Sequence, residues 1–393
     1  MKKNRLEFIL IVVSFIVLTF PNIDLPTLVS FNGFLKIAKT LVSLYSIAKF
    51  ILSRMKIDNF SVKIIMSLLI LLFMTIINSV SPGYFFKVYF FNFSIILLSV
   101  YTLKKYEIEF LKFITKYNIF LLFLNFISII LSMKFQTENY LKYDTFLLGL
   151  DNRFILYIII PLISLRLLYL NKEVSNDFYF NKTILTLLLG ISSLLMVWSV
   201  SAMFICIIMV LLFYVLKYFD RLNIDVKKVL TIIIIISFLI VFFGIQKYFQ
   251  YLIVFLLKKN MDLSYRTIIW SKIITILKQK PIHYLIGYGF RDTSKIFIII
   301  QNLNVGVIHA HNILMNTLFF GGAIWLYFYL KVFYHIAGSI NSIQDLLSKK
   351  YIFCIFIGLL LLLLFDTFEY YPIYYFILYL INYYCSEADR KVK

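Results

Sequence analysis

Apolar runs long enough to cross a membrane recur along almost the whole chain, and no other feature restricts the fold as strongly. About twelve occur, at 6–20, 28–52, 60–80, 84–103, 110–133, 153–170, 183–198, 200–217, 228–246, 311–333, 351–365 and 367–385. A bilayer crossing takes ~20 apolar residues of helix. Several runs are shorter than that, so roughly ten to twelve spans are expected. Lipid offers the backbone no hydrogen-bond partner, which leaves helices or a closed barrel. The runs are continuously apolar rather than alternating, and that excludes a barrel. The expected fold is an all-α integral membrane protein, a polytopic bundle of about 10–12 helices.

Composition agrees. The chain is 62% hydrophobic and 15% charged, whereas soluble domains are about a quarter charged. The net charge of +20 would point to nucleic acid on a soluble protein. Here the basic residues gather in short loops on one side, so no nucleic-acid partner is expected. With a cytoplasmic N-terminus, the inner loops carry Arg54, Lys56, Lys104, Lys105, Arg166, Lys172, Lys182, Arg221, Lys227, Lys349 and Lys350. The tail adds Arg390, Lys391 and Lys393. This is the positive-inside pattern, and it places both termini in the cytoplasm of a multi-pass cytoplasmic-membrane protein. The basic start at Lys2, Lys3 and Arg5 precedes an apolar run with no small-residue cleavage site, which reads as a retained first span. Cys206 and Cys354 lie in apolar runs and Cys385 at the end of the last, so the expectation is packing, not disulfides or metal thiolates.

The stretch 247–304 breaks the pattern. It is long, falls on the outer side, and holds nine basic residues, Arg266 and Arg291 among them. Long loops translocate regardless of charge, so these cations stand against the topological bias and imply a use outside. Three regions follow: N-terminal transmembrane helices 1–246, a large extracytoplasmic loop 247–310, and C-terminal transmembrane helices 311–393. Within the loop, Ile268, Ile269, Ile273, Ile274 and Ile276 recur near helical spacing around Trp270. The pattern predicts an amphipathic interfacial helix capped by Ser264 and stopped by Pro281. Gly287-Tyr288-Gly289 predicts a turn. No internal repeat is evident, which weakens a transporter reading.

Four groups of residues bear chemistry. The chain has four histidines, two of them in His309-Ala310-His311-Asn312 at the mouth of a span. Imidazole accepts protons near neutral pH, so His311 is a candidate base. A metal site is the rival reading, without the three or four ligands zinc takes; satisfied interfacial histidines are the plain one, favoured for His309. Arg266 and Arg291 suit phosphate, which arginine grips bidentately, or anionic headgroups generally. Arg153, in Asp151-Asn152-Arg153, stands where a lipid phosphate would lie, although snorkelling at a helix end explains it as well. Lys36, Lys39 and Lys49 lie inside an apolar run, facing a polar cavity or marking a later helix start.

The order Ser264-x-Arg266-x-x-x-Trp270, Pro281, Gly287-Tyr288-Gly289, His309-x-His311-Asn312 and Gly321-Gly322 resembles the O-antigen ligase/polymerase superfamily, the Wzy-type polysaccharide polymerases and their ligase relatives. The resemblance spans roughly 264–325, with short individual motifs. It implies a bundle related to the C-type glycosyltransferases that polymerises polyprenyl-pyrophosphate-linked oligosaccharide repeats into capsular or O-antigen polysaccharide. Transfer would be inverting and metal-independent, without a cofactor, on the outer face of the membrane. His311 would be the base and Arg266 would stabilise the departing pyrophosphate; Arg291, His309, Asn312 and Arg153 would bind substrate. Implied partners are the lipid-linked oligosaccharide, membrane lipids and a chain-length regulator protein. Two positions depart from the family: Trp325 replaces a small residue or tyrosine, and Ser199-Val200-Ser201-Ala202 lacks the arginine of a Ser-Arg pair. Arg153 or Arg291 supplies that charge, or the second phosphate contact is missing. A ligase moving finished glycan to another acceptor is the nearest alternative, and a flippase for the lipid-linked unit the next.

Overall fold

In a computed structural model, the protein is described over residues 2–20, 29–132, 146–148, 151–218, 224–244, 266–291 and 310–390. These residues are helical, with no β-strand among them. Nine helices precede the large loop: α1 (Lys2–Thr19), α2 (Val29–Leu52), α3 (Asn59–Ile77), α4 (Gly83–Lys105), α5 (Glu107–Ile130), α6 (Phe154–Leu170), α7 (Asn176–Met196), α8 (Val200–Tyr218) and α9 (Val226–Phe243). The loop contributes α10 (Arg266–Gln279) and the short α11 (Ile282–Ile286). Then come α12 (Ile313–Ser342), α13 (Leu346–Phe365) and α14 (Pro372–Arg390). Eight of these, α3, α4, α5, α7, α8, α9, α12 and α13, are long and apolar enough to cross a membrane. The chain is a polytopic α-helical membrane protein.

Side chains start the helices where the sequence offers them. Asp58 accepts from the Ser61 amide, Ser175 from Phe178 and Asp345 from Ser348, each relieving an orphan N–H of a first turn. Gly244 stops α9 in the left-handed conformation, φ 63°. The last apolar run begins before its helix: 366–371 forms a loop and α14 begins at Pro372, a residue suited to a first turn because it has no N–H to leave unpaired.

Helix α6 is central, buried along nearly its whole length between α5, α7 and α14. Helix α12 packs on α3, and α13 on α8. Lipid is as apolar as leucine, so close packing and interhelical hydrogen bonds hold such contacts together. Ile158 of α6 sits over Gly190, where an added Cβ would come within 2.4 Å of it. Thr115 of α5 and Ser164 of α6 share a buried hydrogen bond of 2.7 Å. The outward faces of α2, α8 and α9 expose Ile37, Leu41, Leu44, Ile207, Leu211, Ile232 and Ile236, the surface that a bilayer covers. Lys39 within α2 is buried and reaches back to the Phe20 carbonyl at 3.1 Å. Cys206, Cys354 and Cys385 are free and buried.

The two glycine motifs meet. Helix α12 breaks at Gly322, φ 64° and ψ −168°. At such a break the carbonyls of the preceding turn lose their helical donors. Those of Phe319 and Phe320 accept instead from the amides of Tyr288 and Gly289, at 2.8 and 2.9 Å. A Cβ at Gly287 would lie 2.4 Å from the Phe320 carbonyl carbon, and one at Gly322 would lie 2.2 Å from the Leu285 oxygen. Two backbones therefore cross where side chains do not fit. Trp325 closes over the crossing: it is fully buried, and its Nε1 donates to Ser67 Oγ at 3.1 Å.

Candidate active site

The approach to α12 is held from both sides. Ala310 donates its amide to Asn316 Oδ1 at 3.3 Å, and its carbonyl accepts from Trp270 Nε1 at 2.8 Å. One partner lies on α12 itself and the other on α10. Between this pinned peptide and the cap at Asn312, His311 takes a left-handed conformation, φ 48°. A non-glycine residue there costs about 1–2 kcal/mol and persists only where its surroundings over-determine it.

The turn aims His311 at the loop between α13 and α14. His311 Nδ1 lies 3.6 Å from Asp366 Oδ1, with 34% of the histidine side chain exposed and 13% of the aspartate. Asp366 is held in turn: Oδ1 accepts the Thr367 amide at 2.8 Å and Oδ2 accepts Asn152 Nδ2 at 3.2 Å. Asn152 Oδ1 accepts Ser199 Oγ at 2.9 Å. A hydrogen-bonded chain thus runs from the start of α8 through the 3₁₀ turn Asp151–Arg153 to Asp366, which faces His311 at 3.6 Å. The Arg153 guanidinium lies 4.2 Å from the centre of the Tyr371 ring in the same loop, a cation–π contact. The loop therefore contacts both Arg153 and His311.

Comparison with protein-family models, curated proteins and solved structures finds no match. The functional reading rests on the residues themselves.

Arg266 opens α10, half-buried, one turn before Trp270 and on the same face. The Trp270–Ala310 bond fixes that face against the turn that carries His311. Arg291 ends the Gly-Tyr-Gly segment. It is half-buried, its Nε donates to the Tyr288 carbonyl at 2.8 Å, and burial lowers its pKa from the ordinary value. Next to it, Phe290 packs among Tyr84, Tyr89, Phe320 and Tyr370. Arg153 and His311 thus share one loop, while Arg266 and Arg291 flank the α10–α11 segment at the same end of the bundle.

Asn312 is committed to the fold. Its Oδ1 caps α12 at the Met315 amide, 3.1 Å, and its Nδ2 ties Leu364 O and Ser237 Oγ at 3.0 and 3.4 Å. The sequence pairs Asn312 with His311 because the cap positions the histidine. His309 and Ser264 lie outside the described residues.

Asp366 and Asn316 escaped the sequence reading, and Asn152 entered it only as the neighbour of Arg153. The signal was present: Asp366 and Glu369 are acids close together in a chain with only 19 acidic residues. The departure at Ser199 also has a geometric counterpart, since this serine is one hydrogen bond from the residue before Arg153. Among the described residues no three His, Cys, Asp or Glu side chains form a metal-binding group.

Chemically, a histidine whose Nδ1 faces a carboxylate keeps Nε2 as the nitrogen that accepts a proton. The carboxylate fixes the ring and stabilises the imidazolium that forms. Arginines nearby suit an anionic leaving group.

Proposed function

We propose that this protein is a membrane glycosyltransferase that polymerises polyprenyl-pyrophosphate-linked oligosaccharide repeats on the outer face of the cytoplasmic membrane. The observation that carries the reading is the His311–Asp366 pair, 3.6 Å apart at one end of a membrane bundle, on a loop shared with Arg153. The motif order around it supports the same conclusion.

In this reading a hydroxyl of one lipid-linked repeat attacks the anomeric carbon of the growing chain. The new glycosidic C–O bond forms as the bond to pyrophosphate breaks, with inversion. His311 Nε2 takes the hydroxyl proton, and Asp366 stabilises the imidazolium. The pyrophosphate leaves with the bonding electron pair, and Arg266 with Arg153 or Arg291 offsets the charge it gains. The outer end of a bundle keeps the prenyl chain in lipid and the sugar in water.

The test is turnover of lipid-linked repeats by purified protein in liposomes. Native protein is expected to yield a ladder of lengths, and His311→Ala single repeats only. An unchanged ladder from His311→Ala overturns the base assignment. Native protein that joins finished glycan to a different acceptor, without lengthening it, converts the reading to a ligase. Native protein that moves the repeat across the bilayer unaltered converts it to a flippase.

A further inference from the structure

We propose that Glu369 is a positioning residue of this site: through Asn316 it fixes the turn that aims His311. The inference rests on the catalytic reading of His311 given above and extends it to a group outside the His311–Asp366 relay.

Glu369 lies three residues after Asp366 and is fully buried. Asn316 Nδ2 donates to its Oε1 and also to the Tyr370 hydroxyl, the latter at 2.6 Å. The other end of that amide, Oδ1, accepts from Ala310 N. The Ala310 N–H needs an acceptor, which fixes which way the amide points. Both amide hydrogens must then find acceptors, and Glu369 is one of them. The backbone of Glu369 is itself tied down, its carbonyl accepting Asn92 Nδ2 of α4 at 3.1 Å. A continuous chain therefore runs from α4 through Glu369 and Asn316 to the peptide that precedes His311.

The surroundings of this acid favour its neutral form. Glu369 Oε2 is enclosed with no hydrogen-bond partner among the described residues, which suits a protonated acid with Oε1 as the accepting carbonyl. An ionised carboxylate without a cationic partner costs far more to bury. Desolvation pushes its pKa up to about 8. The groups facing it are the Tyr370 and Tyr371 phenols and Asp366 in the loop, Tyr89 of α4, Tyr329 of α12, and Tyr374 and Tyr375 of α14. Of these Asp366 is the carboxylate, and its charge drives Glu369 further toward the protonated form. Glutamine has the shape and neutrality of that form; alanine has neither the shape nor the acceptor.

Four histidines make the readout direct. Protein with ¹⁵N-labelled imidazoles in nanodiscs gives a His311 resonance, assigned by His311→Gln. Glu369→Gln is expected to leave that resonance and the turnover of lipid-linked repeats unchanged. Glu369→Ala and Asn316→Ala are expected to move the resonance and lower kcat about tenfold or more, with KM little altered. Should Glu369→Ala not fold, Glu369→Asp, one methylene shorter, carries the same test. Glu369→Gln as damaging as Glu369→Ala overturns the proposal, because the carboxyl would then act through its charge. An unmoved resonance in both Glu369→Ala and Asn316→Ala overturns it as well. If native protein turns over no lipid-linked repeat, the catalytic reading fails, and the resonance still decides whether Glu369 positions His311.

Discussion

The two ends of the bundle treat charge differently. At the end bearing the chain's termini, charges are matched to one another or to helix ends. Glu7 meets Lys49 at 3.3 Å and Lys105 at 2.8 Å, Glu387 meets Arg390 at 2.6 Å, and Asp225 caps α9 while holding Asn341 at 3.0 Å. Such pairs settle topology and anchor helix ends. At the other end a partly exposed histidine faces a carboxylate at 3.6 Å, and a glutamic acid is sealed in the interior. Left-handed non-glycine residues, buried cations and cation–π contacts occur at both ends, Arg54, Lys172 and Arg166 among them at the first. Among the described residues, what sets the second end apart is the histidine facing a carboxylate and the sealed acid without a cationic partner. Charge count alone does not separate the two ends; what each charge faces does.

The most direct way to break this comparison is to neutralise one residue at each end. His311→Ala is expected to reduce repeat polymerisation by about 10²–10⁴-fold, the usual weight of a positioned base. Lys49→Met at the opposite end should leave it unchanged. Equal losses at both ends, measured as turnover per folded protein, would show that the contrast has no bearing on function. Asp366→Asn sharpens the point. It preserves shape but removes the charge that stabilises the imidazolium, and a loss in kcat of up to about 10⁴-fold is expected. Full activity in Asp366→Asn would reduce the relay to a structural bond.

Gly322→Ala tests the scaffold instead of the chemistry. Its Cβ would meet the Leu285 oxygen at 2.2 Å, in a conformation with φ 64°. A loss of about 1–3 kcal/mol is expected from overpacking and strain, read as a lower melting temperature in detergent. A melting temperature equal to the native one would mean that the crossing of α12 with the Gly-Tyr-Gly segment is loose.

Acid–base titration separates the ends a third way. The Glu369 carboxyl has its pKa raised by desolvation to about 8. A raised value means that its stabilising contribution is complete below the ordinary carboxyl pKa. It then declines as pH rises through about 8, because the unfolded chain ionises first. The melting temperature of the native protein should therefore fall over that window, and Glu369→Gln should fall less. Identical profiles would show that the acid is already ionised at neutral pH.

Much of this was legible in the sequence, for identifiable reasons. A bilayer leaves few backbone solutions, so apolar runs sufficed to announce the helices, and Trp270 with its isoleucines announced α10. Boundaries failed at 366–371, where Thr367 and Phe368 are apolar enough to be read as helix although the loop bends through them. They failed also at α7 and α12, which begin at Asn176 and end at Ser342 because polar residues extend those helices beyond their apolar runs. The site was half legible. His311 stood out through scarcity, and Arg153 through position. Asp366 and Asn316 did not, because each gains meaning from a partner more than 50 residues away along the chain. Asn312 adjoins His311 because it caps the helix that follows, a structural reason for the adjacency that the sequence does not display.

The smallest expected effect marks the limit of the contrast. Lys112 and Glu173 approach to 2.7 Å with 44% and 36% of their side chains exposed, on the side away from His311. Water screens such a pair, and ordering two long side chains offsets most of the remaining attraction, so its worth is about 0–1 kcal/mol. Lys112→Met is therefore expected to shift the melting temperature marginally and turnover not at all. The shift should shrink further in high salt, because exposed charges are screened within a Debye length. A large, salt-insensitive loss would mean that this ion pair is buried by something the isolated chain lacks, and the end bearing the termini would then be an interface as well as an anchor.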